Sequence, residues 1–331
     1  MQDIFSVPSC FSSPAEKPPE NPGSTRSGQS LVALVYRVEI SGICRLVTVT
    51  WCKNLLAHGL SVSIQGSRSE SDSDDEEDKK FYCASTGMAN TGTASSVGNV
   101  KNNPTCKVEM RPWHFWRRYG SKCFHVDGTV IDVFWDLKNA RFSSSDDPEP
   151  LSGYYMAVVS DDEVVLLLGD LKKEAFRRSG SRPSLLDPVL VSKKEHVFGK
   201  KRFSTRAKFN EKEKMHEIMV ECNSCGRNDI DMAIKVDGCV SVLVRHLQWK
   251  FRGNETIFVN NLRVQVYWDV HDWLFSPGPR HALFIFKLEP IMIECFPSNG
   301  EQEDHRYGDE LVIEDDESSD FCLFLYAWRV E

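Results

Sequence analysis

Long apolar runs are missing from this chain of 331 residues. No stretch approaches the roughly 18 consecutive apolar residues that a membrane-spanning helix requires. The first residues, MQDIFSVPSCFSSPAEKPPENPG, carry neither the basic start nor the apolar centre of a secretory signal. The eleven cysteines are scattered and odd in number, which argues for reduced thiols and against a disulfide framework. The expectation is an intracellular protein, cytoplasmic or nuclear, with no transmembrane segment and no secretion. Catalytic signatures are missing as well: there is no G-x-S-x-G, H-E-x-x-H, Walker loop or G-x-G-x-x-G. Nothing therefore marks a nucleophile elbow or a phosphate-cradling loop, and no cofactor is expected. Helical patterning is scarce too, and only GDLKKEAFRRSG (169–180) reads as a short helix.

What is present is strand pattern. LVALVYRVEI (31–40), CRLVTVTW (44–51), LSVSI (60–64), YYMAVVS (154–160), EVVLLLG (163–169), EIMVEC (217–222), CVSVLVRHLQW (239–249) and ALFIFKL (282–288) are rich in β-branched and aromatic residues. Asp-Gly turns at 127–128 and 237–238 separate apolar runs, a strong hairpin signal. With 41% hydrophobic residues, 19 Phe and 8 Trp, the chain can fill one large core or two smaller ones.

GTVIDVFWDLKNARFS (128–143) and NLRVQVYWDVHDWLFS (261–276) repeat one pattern at an offset of 133. Over the 28 positions from 116 to 143 there are 8 identities without a gap, among them Trp116/Trp249, Gly120/Gly253, Trp135/Trp268 and Asp136/Asp269. In both copies alternate residues are apolar: Ile131, Val133, Trp135 and Leu137, then Val264, Val266, Trp268 and Val270. This predicts two equivalent hairpins, each with one buried face. The expected fold is mostly β, an internally duplicated antiparallel β-sandwich or large β-barrel with pseudo-symmetric halves. The expected organisation is a disordered Ser/Pro-rich arm (1–29) and a duplicated core (30–295) holding a disordered insertion at about 66–104. An acidic linker (296–320) and a C-terminal strand returning to the core (321–331) complete it.

TRSGQS (25–30), TVTWCKNLLAHGLSVS (48–63), GYYMAVVSDDEVVLLLGDLKKEA (153–175), KKEHVFGKKRFSTRAKF (193–209), RHLQWKFRGNETIFV (245–259), VYWDVHDWLF (266–275) and CLFLYAWRVE (322–331) together resemble a plant family known only as domain of unknown function 868. The resemblance spans the chain and implies one family-wide β unit. It implies no activity, cofactor or catalytic residue. The insertion at about 66–104 is longer than the family pattern, and the second Cys of CNSC (222–225) departs from it.

Charge is uneven. Between Lys172 and Lys208 there are twelve Lys/Arg and three acids, whereas 301–320 carries ten acids and one base. On a strand, Lys193, Lys194, Lys200, Lys201, Arg202, Arg206 and Lys208 could present a basic face to phosphates or another anionic ligand. The alternative is a patch that complements the chain's own acids. RSGSRP (178–183) resembles a phosphoserine motif read by an adaptor protein at Ser181, and Ser69, Ser71 and Ser73 precede acids as in an acidophilic-kinase site. Asp136 and Asp269 could form a symmetric carboxylate pair, as a β-sandwich hydrolase requires. The favoured reading is that each caps the turn or short helix that follows it. CNSC with His216 and Cys239 completes a metal set on paper, but a lone C-x-x-C is a weak signal, and no metal is expected. The leading reading is a non-catalytic β module binding a protein partner or an anionic ligand. The alternative is a β-barrel carrier of a small apolar ligand.

Overall fold

The computed structural model describes residues 29–54, 57–66, 105–110, 118–143, 147–210, 214–224, 229–278, 280–289 and 321–329. The arm up to residue 28, the insertion from 67 to 104 and the acidic linker lie outside the described residues. So do Ser69, Ser71, Ser73, Trp116 and Cys225.

The described chain is mostly strand, with two short helices. It opens with a four-strand meander: β1 (Ser30–Ile40), β2 (Ile43–Lys53), β3 (His58–Ile64) and β4 (Thr105–Met110). Next come β5 (Tyr119–Val126), β6 (Thr129–Asp136), the short pair β7 (Arg141–Phe142) and β8 (Pro150–Ser152), then β9 (Tyr155–Ser160) and β10 (Glu163–Gly169). Helix α1 (Lys172–Ser179), the two-residue β11 (Arg182–Pro183) and β12 (Val189–Phe198) lead to the second half. That half is a meander of β13 (Arg202–Ala207), β14 (His216–Ser224), β15 (Ile230–Val236) and β16 (Cys239–Val244). It ends with β17 (Arg252–Val259), β18 (Leu262–Asp269), helix α2 (His271–Phe275), β19 (His281–Leu288) and β20 (Cys322–Trp328).

One nine-stranded sheet joins the halves in the order β17-β18-β19-β20-β12-β1-β2-β3-β4. Strand β12 is the seam, antiparallel to β1 and parallel to β20. Over one wing, β1–β4, lies the sheet containing β5, β6, β9 and β10, and Val47, Val49, Trp51, Ile131, Val133 and Val158 fill the space between. Over the other wing, β17–β20, lies the sheet β13–β16, around a core including Phe209, Val220, Ile234, Val266, Phe284 and Leu325. The fold is thus two sandwiches sharing a continuous sheet. That sheet ends openly at β17 and β4, so the barrel alternative does not hold among the described residues. Helix α1 covers the back of β9 through Ala175, which leaves every residue of β9 buried and explains its unbroken apolar run.

The repeated hairpins are β5–β6 and β17–β18, built alike. Gly120 lies opposite Trp135, and Gly253 opposite Trp268, so each indole packs on the bare backbone of its partner strand. Ile131, Val133, Val264 and Val266 are all fully buried, as the alternation predicts. Leu137 N–H donates to Arg118 O (2.7 Å) and Val270 N–H to Phe251 O (2.9 Å), again 133 residues apart. A buried polar side chain also pins each hairpin turn: Arg45 of β2 bonds Asp127 (2.8 Å), and His216 of β14 lies 3.5 Å from Asn260. Asp127 and Asn260 both take positive φ, which Asp and Asn tolerate best after Gly.

Candidate functional site: the basic end of the shared sheet

The basic block does not form one face. Lys193 and Lys194 are neighbours on β12, so they point to opposite sides of the sheet. Lys193 Nζ donates to Arg206 O (2.8 Å) and Thr205 Oγ1 (3.2 Å) and pairs with Glu195. Lys194 stands over the Phe324 ring on the other side. Arg202 pairs with Glu221 (2.9 Å) and Arg206 reaches Asp147 (3.8 Å), while Lys208 is half-buried just after β13. These cations largely complement the chain's own acids. Lys193, Lys200, Arg202 and Arg206 border a groove of about 660 Å³ whose lining also carries Asp147, Glu195 and Glu217.

Lys200 and Lys201 also line a second opening. They sit in the turn between β12 and β13, where the register gathers charge from distant parts of the chain. Ser30 at the start of β1 pairs with both Lys53, the last residue of β2, and Val197 of β12. Phe198 pairs with Trp328 at the end of β20, and Arg329 follows. Lys53, Lys200, Lys201 and Arg329 therefore line one end of the shared sheet, spread over three strand spacings, about 14 Å. Burial, together with the Lys53 charge, depresses the Lys200 pKa. Arg118 belongs to the same end: burial first, then Lys53 and Arg118, hold the His58 imidazole down at about 4. The opposite end of the first sandwich is acidic. The turn residues Asp161 and Asp162 face the β1–β2 turn there, where Ser41 Oγ donates to Asp161 (2.6 Å).

Beneath Lys200 and Lys201 opens a cavity of about 400 Å³ between the two sheets of the second sandwich. Trp273, Leu274, Ile230 and Cys222 form its apolar lining; Lys200, Lys201, Arg329 and the end of β20 at Trp328 complete it, while the Trp328 ring itself stacks on His196 and Phe198 on the other face of the sheet. Among the described residues no carboxylate lines it. Its walls are fixed by hydrogen bonds. Trp328 Nε1 donates to His196 Nδ1 (3.0 Å), Gly199 N–H to Trp328 O (2.9 Å), Cys222 N–H to Lys201 O (2.8 Å) and Arg329 Nη1 to Trp273 O (3.3 Å). Burial pushes the Cys222 thiol up to about 12, so it stays protonated at neutral pH.

The other candidates fall elsewhere. Asp136 Oδ1 accepts from Lys138 N–H (3.0 Å) and Asp269 Oδ1 from His271 N–H (3.1 Å), the same turn cap in both copies. The two carboxylates lie in different sheets of different sandwiches, and the second pairs with Arg252 (2.8 Å). They do not make the carboxylate pair of a hydrolase. His216 bonds Asp237 (2.8 Å) in the β15–β16 turn beside the exposed Cys239, Cys222 lies near the other end of β14, and among the described residues no three metal-capable side chains converge. Ser181 sits just past α1, its Oγ donating to Ser179 O (3.4 Å), in a depression shared with Asp132, Asp161 and Asp162. Its motif is folded on both sides: Gly180 caps α1, and Arg182 pairs with β10 and with Glu163 (2.6 Å). Lys53, Trp273, Trp328 and Arg329 were not singled out from the sequence, because nothing local marks them as neighbours.

Among the described residues no helix is long and apolar enough to cross a membrane. No curated protein and no solved structure matches the chain. The chain belongs to the plant protein family of unknown function DUF868, whose profile matches residues 27–329.

Proposed function

We propose that this member of a plant family acts as a non-catalytic β module that binds an anionic ligand at the basic end of its shared sheet. The observation that carries the reading is the convergence of Lys53, Arg118, Lys200, Lys201 and Arg329 at one end of the fold. The acidic turn at the far end of the first sandwich gives the molecule a charge axis that would orient an approaching polyanion. Phosphorylation at Ser181 belongs to the same reading, since it would add negative charge to the end that is already acidic. Ser69, Ser71 and Ser73 are further phosphorylation candidates.

The test is titration of the full chain against anionic vesicles and, separately, a short oligonucleotide. Affinity should fall at least about tenfold between about 50 and 200 mM salt if several phosphates are contacted. A Lys200→Ala/Lys201→Ala variant with an unchanged circular dichroism spectrum should lose most of it. Which of the two probes binds identifies the class of polyanion. Failure of both at low salt removes the reading.

A further inference from the structure

We infer that the cavity under Lys200 and Lys201 is a binding site for a small aromatic monoanion, with the flat apolar body inside and the anionic head at the mouth. This goes beyond binding at the charged rim, because it rests on the cavity's interior. The volume, about 400 Å³, lies within the range of small-molecule sites and suits a ligand of one or two fused rings. The Trp273 indole supplies a flat surface for a ring, with Leu274, Ile230 and Cys222 completing the apolar lining. Among the described residues the three charged groups that line the cavity are all cations, so the site favours an anionic head over a positive or neutral one.

The site is also preorganised. Trp328 is anchored by its bond to His196, and its backbone carbonyl accepts from Gly199 N–H, which ties the Lys200–Lys201 turn to the end of β20. Arg329 is tied to the carbonyl of Trp273, so α2 and the chain after β20 are clamped across the opening. Fixed walls of this kind spare a ligand the cost of ordering the pocket. An acidic neighbour would oppose the anionic head, and among the described residues none lines the cavity.

The experiment uses the full chain with three probes: 1-naphthoate, the uncharged 1-naphthalenemethanol, and octanoate as an aliphatic anion. Calorimetry should show saturable naphthoate binding near one per chain, with the other two at least about tenfold weaker. A Leu274→Trp variant, which fills the cavity, should weaken naphthoate at least about tenfold while leaving oligonucleotide or vesicle binding at the rim unchanged. The two proposals thus fail separately. If Leu274→Trp does not fold, intermolecular NOEs from the naphthoate ring to the Ile230 and Leu274 methyl groups locate the ligand in the unaltered protein. The inference is overturned if naphthoate shows no saturable binding, or if the neutral or aliphatic probe binds as well. NOEs only to methyl groups outside the cavity overturn it too, as does unchanged affinity in a folded Leu274→Trp variant.

Discussion

At the scale of single residues, the repeat preserves what each hairpin needs locally. Trp135 and Trp268 cover Gly120 and Gly253 across the strand pair, a close approach that the missing Cβ allows. The two sites are not equally tight. A Cβ at Gly120 would meet Trp135 Cζ2 at 3.0 Å, whereas one at Gly253 would overlap the Trp268 indole at several atoms. Trp268 cannot easily move aside, since its Nε1 donates to Lys250 O (2.9 Å). Gly253→Ala should therefore destabilise the protein by about 1–3 kcal/mol, and Gly120→Ala by clearly less. Urea unfolding of the two variants checks the order, and equal losses would contradict it.

At the scale of elements, β12 and β20 decide the architecture, and β12 was the harder to read. Its sequence VLVSKKEHVF places charges where a buried strand would carry aliphatics, and nine of its ten residues are half-buried. The reason is that its charges are satisfied by neighbours distant in sequence. Lys193 and Glu195 both bond Thr205, and His196 accepts from Trp328. Strand β20 is the opposite case, with an apolar pattern plain in the sequence and with Leu323, Leu325 and Ala327 no more than 1% exposed. Because β20 bridges β12 and β19, deleting residues 321–331 strips both of a partner and opens the core. Two buried leucines alone are worth about 3–6 kcal/mol, a large part of typical domain stability. The truncated chain should show no cooperative unfolding transition. A sharp transition at an unchanged midpoint would mean that β20 is dispensable.

At the scale of the whole molecule, the junction between the sandwiches contains a titratable group with a measurable consequence. Burial raises the Glu149 carboxyl to about 6, from the usual 4.5, against the opposing pull of Lys193 and Arg206 and with the help of Asp147 and Glu195. The folded state thus holds a proton that the unfolded state has released between about pH 4.5 and 6. Its contribution is fully present below 4.5 and is lost as pH rises through 6. Glu149→Gln removes that loss. The variant should match the parent at pH 4 and exceed it by about 1 kcal/mol above pH 6.5, allowing for solvent screening. Chemical unfolding at the two pH values measures this, and an equal gain at both would dismiss the assignment.

The sequence by itself determined the β class, the hairpin turns and the packing face of each repeat, because these depend on residues one to four positions apart or opposite each other in a hairpin. Period-two alternation fixes which side of a strand is buried, and an Asp two residues before a free N–H suffices to cap a turn. It also carried the family resemblance. Only the tertiary structure decided that β12 would join two sandwiches edge to edge and leave the sheet open. The same register brought Lys53, Lys200, Lys201 and Arg329 to one end and placed Trp273 of α2 beside the end of β20 around a cavity. Those residues are as much as 276 positions apart, and their proximity follows from strand order, on which local alternation is silent.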